Sequence, residues 1–429
     1  MLSQIRISNY KSIITNVLFC LFPLTSIIGN LFINLNIIFL FTATFFFYAG
    51  ELKNFKLNLF DKIITFFFIY IFFTLSLNYF EYFLDNKDFP FEIIKKSFLY
   101  LRYYFLYIAL RILMHHNILE LKWFYISASF FVIFTCVNIF FQYFFLVDML
   151  GNLPVTSRRL SGFFGDELIA GGYIQRFSLF AIFLIFILNF KKKFNTYLIT
   201  FIIIFIFMFG IILSGNKMPL VLFLFSLFLF FLLNIGSRKK ILLVFIFTLI
   251  SLPLIYKLND NFKDDVLSFH KTTKNLINVF YFKSHTLEES INFHKTPYVL
   301  EFYAAHLTWK KNIFFGGGVK SFRFNCPNCN IHPHNYYLEF FVDLGLFGFS
   351  IIGIFLFYIF YKIYKIKHIF YSSSILGQKT LTFFIIFFIE FFPFRSTGSF
   401  FSTNNASFIF LVLALLVSLI AKSDNKRIN

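Results

Sequence analysis

Charge is scarce in this sequence. Of 429 residues only 14% are charged, 39 basic against 20 acidic, while 59% are hydrophobic and 24% aromatic, including 77 phenylalanines. Too little polar surface is left to cover a water-soluble globule, so the soluble classes are excluded. Nucleic-acid binding goes with them despite a formal net charge of +19, because few residues lie outside apolar runs. Further absences narrow the organisation. The first apolar segment, 13–29, follows a short basic start at Arg6 and Lys11, but no small-residue cleavage pattern comes after it. It is therefore read as a retained helix and not a cleaved leader. No internal repeat and no long polar extension are evident, and residues 1–429 are read as one domain. No GxxxxGK[ST] phosphate loop occurs.

What is present is apolar repetition. Segments of roughly 17 to 25 residues, nearly pure Phe, Ile, Leu, Val and Tyr, match the length a helix needs to cross about 30 Å of hydrocarbon. They are continuous and not alternating, which predicts helices and not a barrel. The expected fold is all-α: a polytopic integral membrane protein of about twelve transmembrane helices. Its spans fall at 13–29, 31–49, 62–80, 93–113, 122–147, 170–189, 194–213, 218–234, 241–256, 336–360, 379–392 and 403–420. Connections carrying Lys53 and Lys56, Arg111 and Lys122, Lys191 to Lys193, Arg238 to Lys240, Lys362 to Lys367, and Lys426 with Arg427 then share one side. The positive-inside rule makes that side the cytoplasm and puts both termini there.

The opposite face holds 148–169, 214–218, 257–335 and 393–404. The 257–335 loop, ahead of the tenth helix, is far longer than the usual connection. Its aromatics and glycine triplet predict a partly folded segment with short helices lying over the membrane. Gly316 to Gly318 allow a close backbone approach, as a plain turn, against a helix, or around a ligand. Cys326 and Cys329 in CPNC are open to a disulfide, to free thiols, or to zinc with the following HPH; Cys20 and Cys136 read as small core residues. His332 and His334 stand where this loop meets an apolar run. Histidine there is either an interfacial residue beside an Asn335 helix cap or a base for a hydroxyl proton. Two cationic stretches share the face: SGNKMPL, with Lys217 between two apolar helices, and SRRLSGFFGDELIAGGYIQR, with Arg158, Arg159, Asp166 and Glu167. Cations and a candidate base converging on one membrane face suit an acidic, lipid-linked substrate.

These residues carry a resemblance. His334-Asn335, nine residues, then Gly345-Leu346-Phe347-Gly348 is similar to the H-N-x9-G-x-x-G signature of bacterial O-antigen ligases and polymerases, and HPHNYYLEFFVDLGLFG resembles that family throughout. Trp309 followed by Asn312 to Gly318, with Phe322-Arg323, resembles its W-x-x-N-P element; RLSGFFGDELIAGGY resembles a segment before a middle helix of the polymerases. The chain departs from the pattern at Lys217, where the family commonly has an arginine; lysine keeps the charge but loses the bidentate fork. The loop arginine of the family has its nearest counterpart in Arg323, then in His294 or Lys295.

The resemblance implies a metal-independent glycosyltransferase of the bacterial inner membrane, with no cofactor and a periplasmic active site. It implies His334 and Asn335 as catalytic, with His334 taking the acceptor proton. Lys217, Arg159 and Arg323 would hold the diphosphate of an undecaprenyl-diphosphate-linked oligosaccharide, and His332, Glu339 and Trp309 would support the site. Glu339 either orients the histidine or is a solvated first-turn residue, and Trp309 either stacks on sugar or anchors at the interface. Beyond the bilayer, the implied partners are an acceptor glycan or lipid A-core and a chain-length regulator. GDELIAGGY and KSFR look closer to the polymerases. An exporter or flippase is the competing class, and it would favour charges within spans and internal symmetry.

Overall fold

The structure, a computed structural model, describes residues 2–86, 88–156, 158–188, 193–234, 238–281, 297–326, 331–371 and 374–428. His294, Lys295 and Cys329 lie outside them. The main helices are α1 (Leu2–Cys20), α2 (Phe22–Ile28), α3 (Asn30–Phe47), α4 (Leu59–Leu84), α5 (Phe91–His115) and α6 (Leu121–Phe145). After them come α7 (Ala170–Leu188), α8 (Lys193–Leu213), α9 (Lys217–Leu233), α10 (Arg238–Leu258), α11 (Asp260–Tyr281) and α12 (Pro297–Lys311). The chain closes with α13 (Tyr336–Lys365), α14 (Ile375–Glu390) and α15 (Thr403–Ile428). Among the described residues there is no strand, only one isolated bridge between Thr156 and Arg159.

Six of these helices are long and apolar enough to cross a membrane, and α1 with α2, bent by 42°, makes a seventh if counted as one span. Pro23 in the first turn of α2 fits that bend, since proline suits a helix start and not an interior. Shorter apolar stretches follow in α7 to α10. Local chemistry sets several ends. Asn58 and Asp61 form a reciprocal capping box at the start of α4, and Ser374 caps α14 through Gly377 N–H.

The centre of the bundle is α15. Its apolar window is 89% buried inside the protein against 33–61% for the other five spans, so its neighbours are helices and not lipid. It packs on α5 and α14, which pack in turn on α3, α4 and α7. In lipid such association rests on close packing and interhelical hydrogen bonds. Two buried ionic groups supply the latter. Arg111 forks onto Asp61 at 2.8 and 3.1 Å and also reaches Ser418, while Tyr107 donates to Asp61 at 2.6 Å. Arg176 of α7 forks onto Glu390 of α14 at 2.8 and 3.0 Å and donates to Asn405 of α15 at 2.6 Å.

Among the described residues of the long segment before α13, α11 has 22 residues and α12 has 15, longer than the short helices expected there. The run expected over 379–392 is helical from Ile375 to Glu390.

Candidate active site at the break in α13

α13 is a single run in sequence but two helices in space. Gly345 interrupts it with φ 65° and ψ −168°, a region open essentially to glycine alone. A break leaves backbone groups without intrahelical partners, and lipid offers none. The segment after α12 supplies them. Leu346 N donates to Ile313 O at 2.9 Å and Phe347 N to Phe314 O at 3.1 Å, while Gly317 N and Gly318 N donate to Val342 O and Asp343 O, both at 2.9 Å. Tyr70 donates its hydroxyl to Leu344 O at 2.7 Å, and Asn78 donates to Gly316 O at 3.0 Å. The glycine triplet is thus a backbone-to-backbone seat. A Cβ on Gly316 would lie 2.5 Å from backbone atoms of Asp343, Leu344 and Gly345.

Two side chains lock this seat. Asp343, fully buried, accepts from Lys320 N at 2.7 Å and Ser321 Oγ at 3.0 Å. Trp309 donates its indole N–H to Ile313 O at 3.0 Å, and its ring lies 5.3 Å from that of Phe341. Trp309 therefore braces the loop. Lys320, with φ 62°, has its amine pushed down to about 8, by burial first and then by Arg323.

The histidines sit at the start of α13. Asn335 is its N-cap, accepting from Tyr337 N at 2.9 Å and Leu338 N at 3.3 Å. The same amide donates to Pro393 O at 2.7 Å and Arg395 O at 3.3 Å, so Asn335 fastens the 393–402 turn to the helix start. His334, in the left-handed region at φ 48°, accepts Thr397 N–H on its carbonyl at 3.0 Å. Its Nε2 lies 3.6 Å from Oε1 of Glu301 on α12, whose side chain is 6% exposed against 35% for the histidine. Burial lowers the proton affinity of His334, partly offset by a hydrogen bond to the Thr397 backbone. His332, its ring centroid 4.3 Å from that of His334, is pushed down to about 4, by burial first and then by the charges of His334, Lys320 and Arg323. Both imidazoles are therefore neutral at pH 7 and able to accept a proton.

Glu339 has neither of its expected places. It is 2% exposed, and it accepts from Ser399 Oγ and Phe400 N, both at 2.5 Å, so it holds the 399–402 turn and not a histidine. That turn is fixed further by Arg395, whose Nη1 is 2.8 Å from Glu390 Oε1 and which thus joins Arg176 on one carboxylate. Arg323, on a short helix at Phe322–Asn325, has a buried Nε without a hydrogen-bond partner among the described residues, as has Nε2 of His332. Cys326 is disulfide-bonded, whereas Cys20 and Cys136 are free.

A second cationic group gathers where α8 meets α9. Gly215, at φ 66°, packs against Arg159; a Cβ there would lie 2.7 Å from its Cγ, and Leu160 N bonds Leu213 O at 3.3 Å. Arg159 and Lys217 therefore share one corner. α11 covers it: Arg158 pairs with Asp264 at 2.8 Å, Lys217 with Asp265 at 3.4 Å, and Lys217 also contacts the Ser268 hydroxyl. α11 packs on both α9, which carries Lys217, and α12, which carries Glu301.

Sequence reasoning missed Glu301, Lys320, Arg395 and Thr397. Two of them had a signal: Glu301 is the sole acidic residue from 297 to 326, and Arg395 the sole charge in the turn after α14. These features define an all-α membrane protein with several spanning helices and a polar site at a helix break. No protein-family model matches the chain, and no curated protein matches it in sequence.

Proposed function

We propose that the protein is a bacterial inner-membrane glycosyltransferase of the O-antigen polymerase and ligase type. It transfers a glycan from undecaprenyl diphosphate to a sugar hydroxyl at the periplasmic face. The observation that carries this reading is the seating of His334: a neutral imidazole, fixed by Asn335 and Thr397, beside a buried carboxylate at the start of α13. Two of the three sequence elements that resemble the family, Asn312 to Gly318 and His334 to Gly348, bond directly to each other, which supports reading them as one functional unit.

In the proposed reaction His334 takes the proton of the acceptor hydroxyl, whose oxygen attacks the anomeric carbon as the bond to diphosphate breaks. Cations stabilise the charge on the departing diphosphate, the electrostatic share of catalysis. Lys320 and, after it, Arg323 act electrostatically on His332, which supports Arg323 as a cation on the histidine side; Arg159 and Lys217 form the second group. In this reading the α1–α2 pair, α7 to α10 and α14 cross together with the other six spans, twelve crossings that put both termini on one side, which the basic connectors support as the cytoplasm.

The test is transfer by the purified chain and its His334→Ala variant from a polyprenyl-diphosphate oligosaccharide, with and without lipid A-core, separated by gel. Loss of a positioned base should slow transfer by about 10²–10⁴. A product ladder from the lipid-linked donor alone makes the protein a polymerase, the expected result, and a single shift that requires lipid A-core makes it a ligase. Equal product from the variant removes the histidine mechanism.

A further inference from the structure

The corner that gathers Lys217 opens into an apolar cavity of about 470 Å³, within the range of roughly 300–1,000 Å³ common for small-molecule sites. α8 contributes Ile211, α9 Val221, α10 Leu252 and Pro253, and α11 Phe262 and Phe269. Among the described residues, Asn216, Lys217, Tyr256 and Asp265 bring polar atoms to it, and Lys217 and Asp265 are its charged side chains. Pro253 lies inside α10, where it withholds a backbone N–H from the helix. α11 follows α10 after Asn259, which caps it by accepting from Phe262 N at 2.9 Å. Phe262, Val266 and Phe269 recur at helical spacing and face the cavity, while Asp264 and Asp265 reach the cations.

We infer that this cavity takes the hydrocarbon chain of a lipid phosphate or diphosphate, and that Asp264 and Asp265 of α11 are an acidic latch holding the cations its headgroup would take. Three observations converge. The cavity is apolar, its single basic side chain stands beside its apolar wall, and that side chain is paired with a carboxylate on the roofing helix. Both ion pairs are open to water, Arg158 with Asp264 at 60% and 49% side-chain exposure and Lys217 with Asp265 at 27% and 22%. Pairs that exposed are held weakly. A phosphate or diphosphate brings more negative charge than one carboxylate, so it displaces Asp265 from Lys217 as the chain enters. Latch and headgroup then exclude each other, and the apparent affinity is reduced by the fraction of time the latch is closed. Assigning the occupant as the donor's polyprenyl chain rests on the glycosyltransferase reading; the lipid-chain cavity does not.

The experiment uses the full chain in nanodiscs, photolysed with a farnesyl diphosphate bearing a diazirine in its tail, and with the matching farnesol. Peptides are then mapped by mass spectrometry. Label is expected on α9 and α11 around Val221 and Phe262 to Phe269. Val221→Trp, which fills the cavity, should cut labelling at least tenfold for both probes, with Leu252→Trp as a second variant should the first unfold. Asp265→Asn should raise labelling by the diphosphate about threefold and leave that by farnesol unchanged. Label elsewhere, labelling indifferent to both tryptophans, or weaker labelling in Asp265→Asn overturns the inference. Loss of label when phosphatidylglycerol replaces phosphatidylcholine in the nanodisc assigns the cavity to bulk phospholipid and overturns the donor assignment. If labelling follows expectation but no sugar is transferred, the lipid site stands and the glycosyltransferase reading falls. Transfer by both tryptophan variants at the wild-type rate, with unchanged labelling, leaves that reading and removes the cavity.

Discussion

At His334 a left-handed backbone and a buried carboxylate 3.6 Å from Nε2 serve one end. The backbone turns the ring toward α12 while Asn335 begins the helix, and Glu301 gives the imidazole a partner whose negative charge favours the protonated ring. Glu301→Gln removes that charge, so the proton affinity of His334 falls. The acidic limb of the pH–kcat profile should then move to lower pH and the plateau should drop, since a weaker base takes the proton less readily. A limb that stays in place or moves upward would separate Glu301 from the histidine. Lysine at 217 keeps its charge but pairs with Asp265, so charge at this corner is shared between chain and ligand and not reserved for the ligand.

Among the elements, α13 shows most plainly how a membrane helix hosts polar chemistry. Its break exposes carbonyls and N–H groups that the Ile313 to Gly318 segment takes up. A Cβ on Gly345 would stand 2.4 Å from Phe314 O, and the conformation itself disfavours any side chain. Gly345→Ala should therefore cost at least about 1–3 kcal/mol, read as a lower midpoint of thermal unfolding in detergent; an unchanged midpoint would mean the break is not fixed. α14 carries the other pivot. Glu390 is 1% exposed and pairs with Arg176 and Arg395 together. Glu390→Gln leaves two buried guanidinium groups facing an amide, a change of the kind that costs about 3–5 kcal/mol. Folded, monodisperse yield should collapse, and wild-type yield with wild-type melting would refute the pairing.

Across the whole molecule, two buried ionic groups tie helices distant in sequence to α15: Asp61 with Arg111 through Ser418, and Arg176 with Glu390 through Asn405. pH acts at the site end of this bundle. His332 binds its proton near pH 4 when folded and near about 6.5 when unfolded. On acidification the unfolded chain takes up the proton first, so stability present above about pH 6.5 is lost progressively toward pH 4. Melting temperature in detergent should fall over that window, and His332→Gln should flatten the fall. A variant with the same pH slope as the wild type would exclude the residue as the cause.

The all-helical membrane character, six of the expected spans and the Asn335 cap follow from local rules: apolar run length, and a capping residue before an apolar run. They are legible because each rests on neighbours in sequence. The glycine triplet and Gly345 could be noticed as glycines, but that they seat one another is a contact across about 30 residues that no local pattern encodes. Glu339 is the clearest example of what sequence leaves open. A glutamate in a first helical turn usually faces water, and here the returning 399–400 turn closes over it with two hydrogen bonds. Glu301, Arg395 and Asp265 became partners of His334, Glu390 and Lys217 in the same way. Charge type and position are local, but pairing depends on which helix ends the packed bundle brings to one corner, and packing alone decided that.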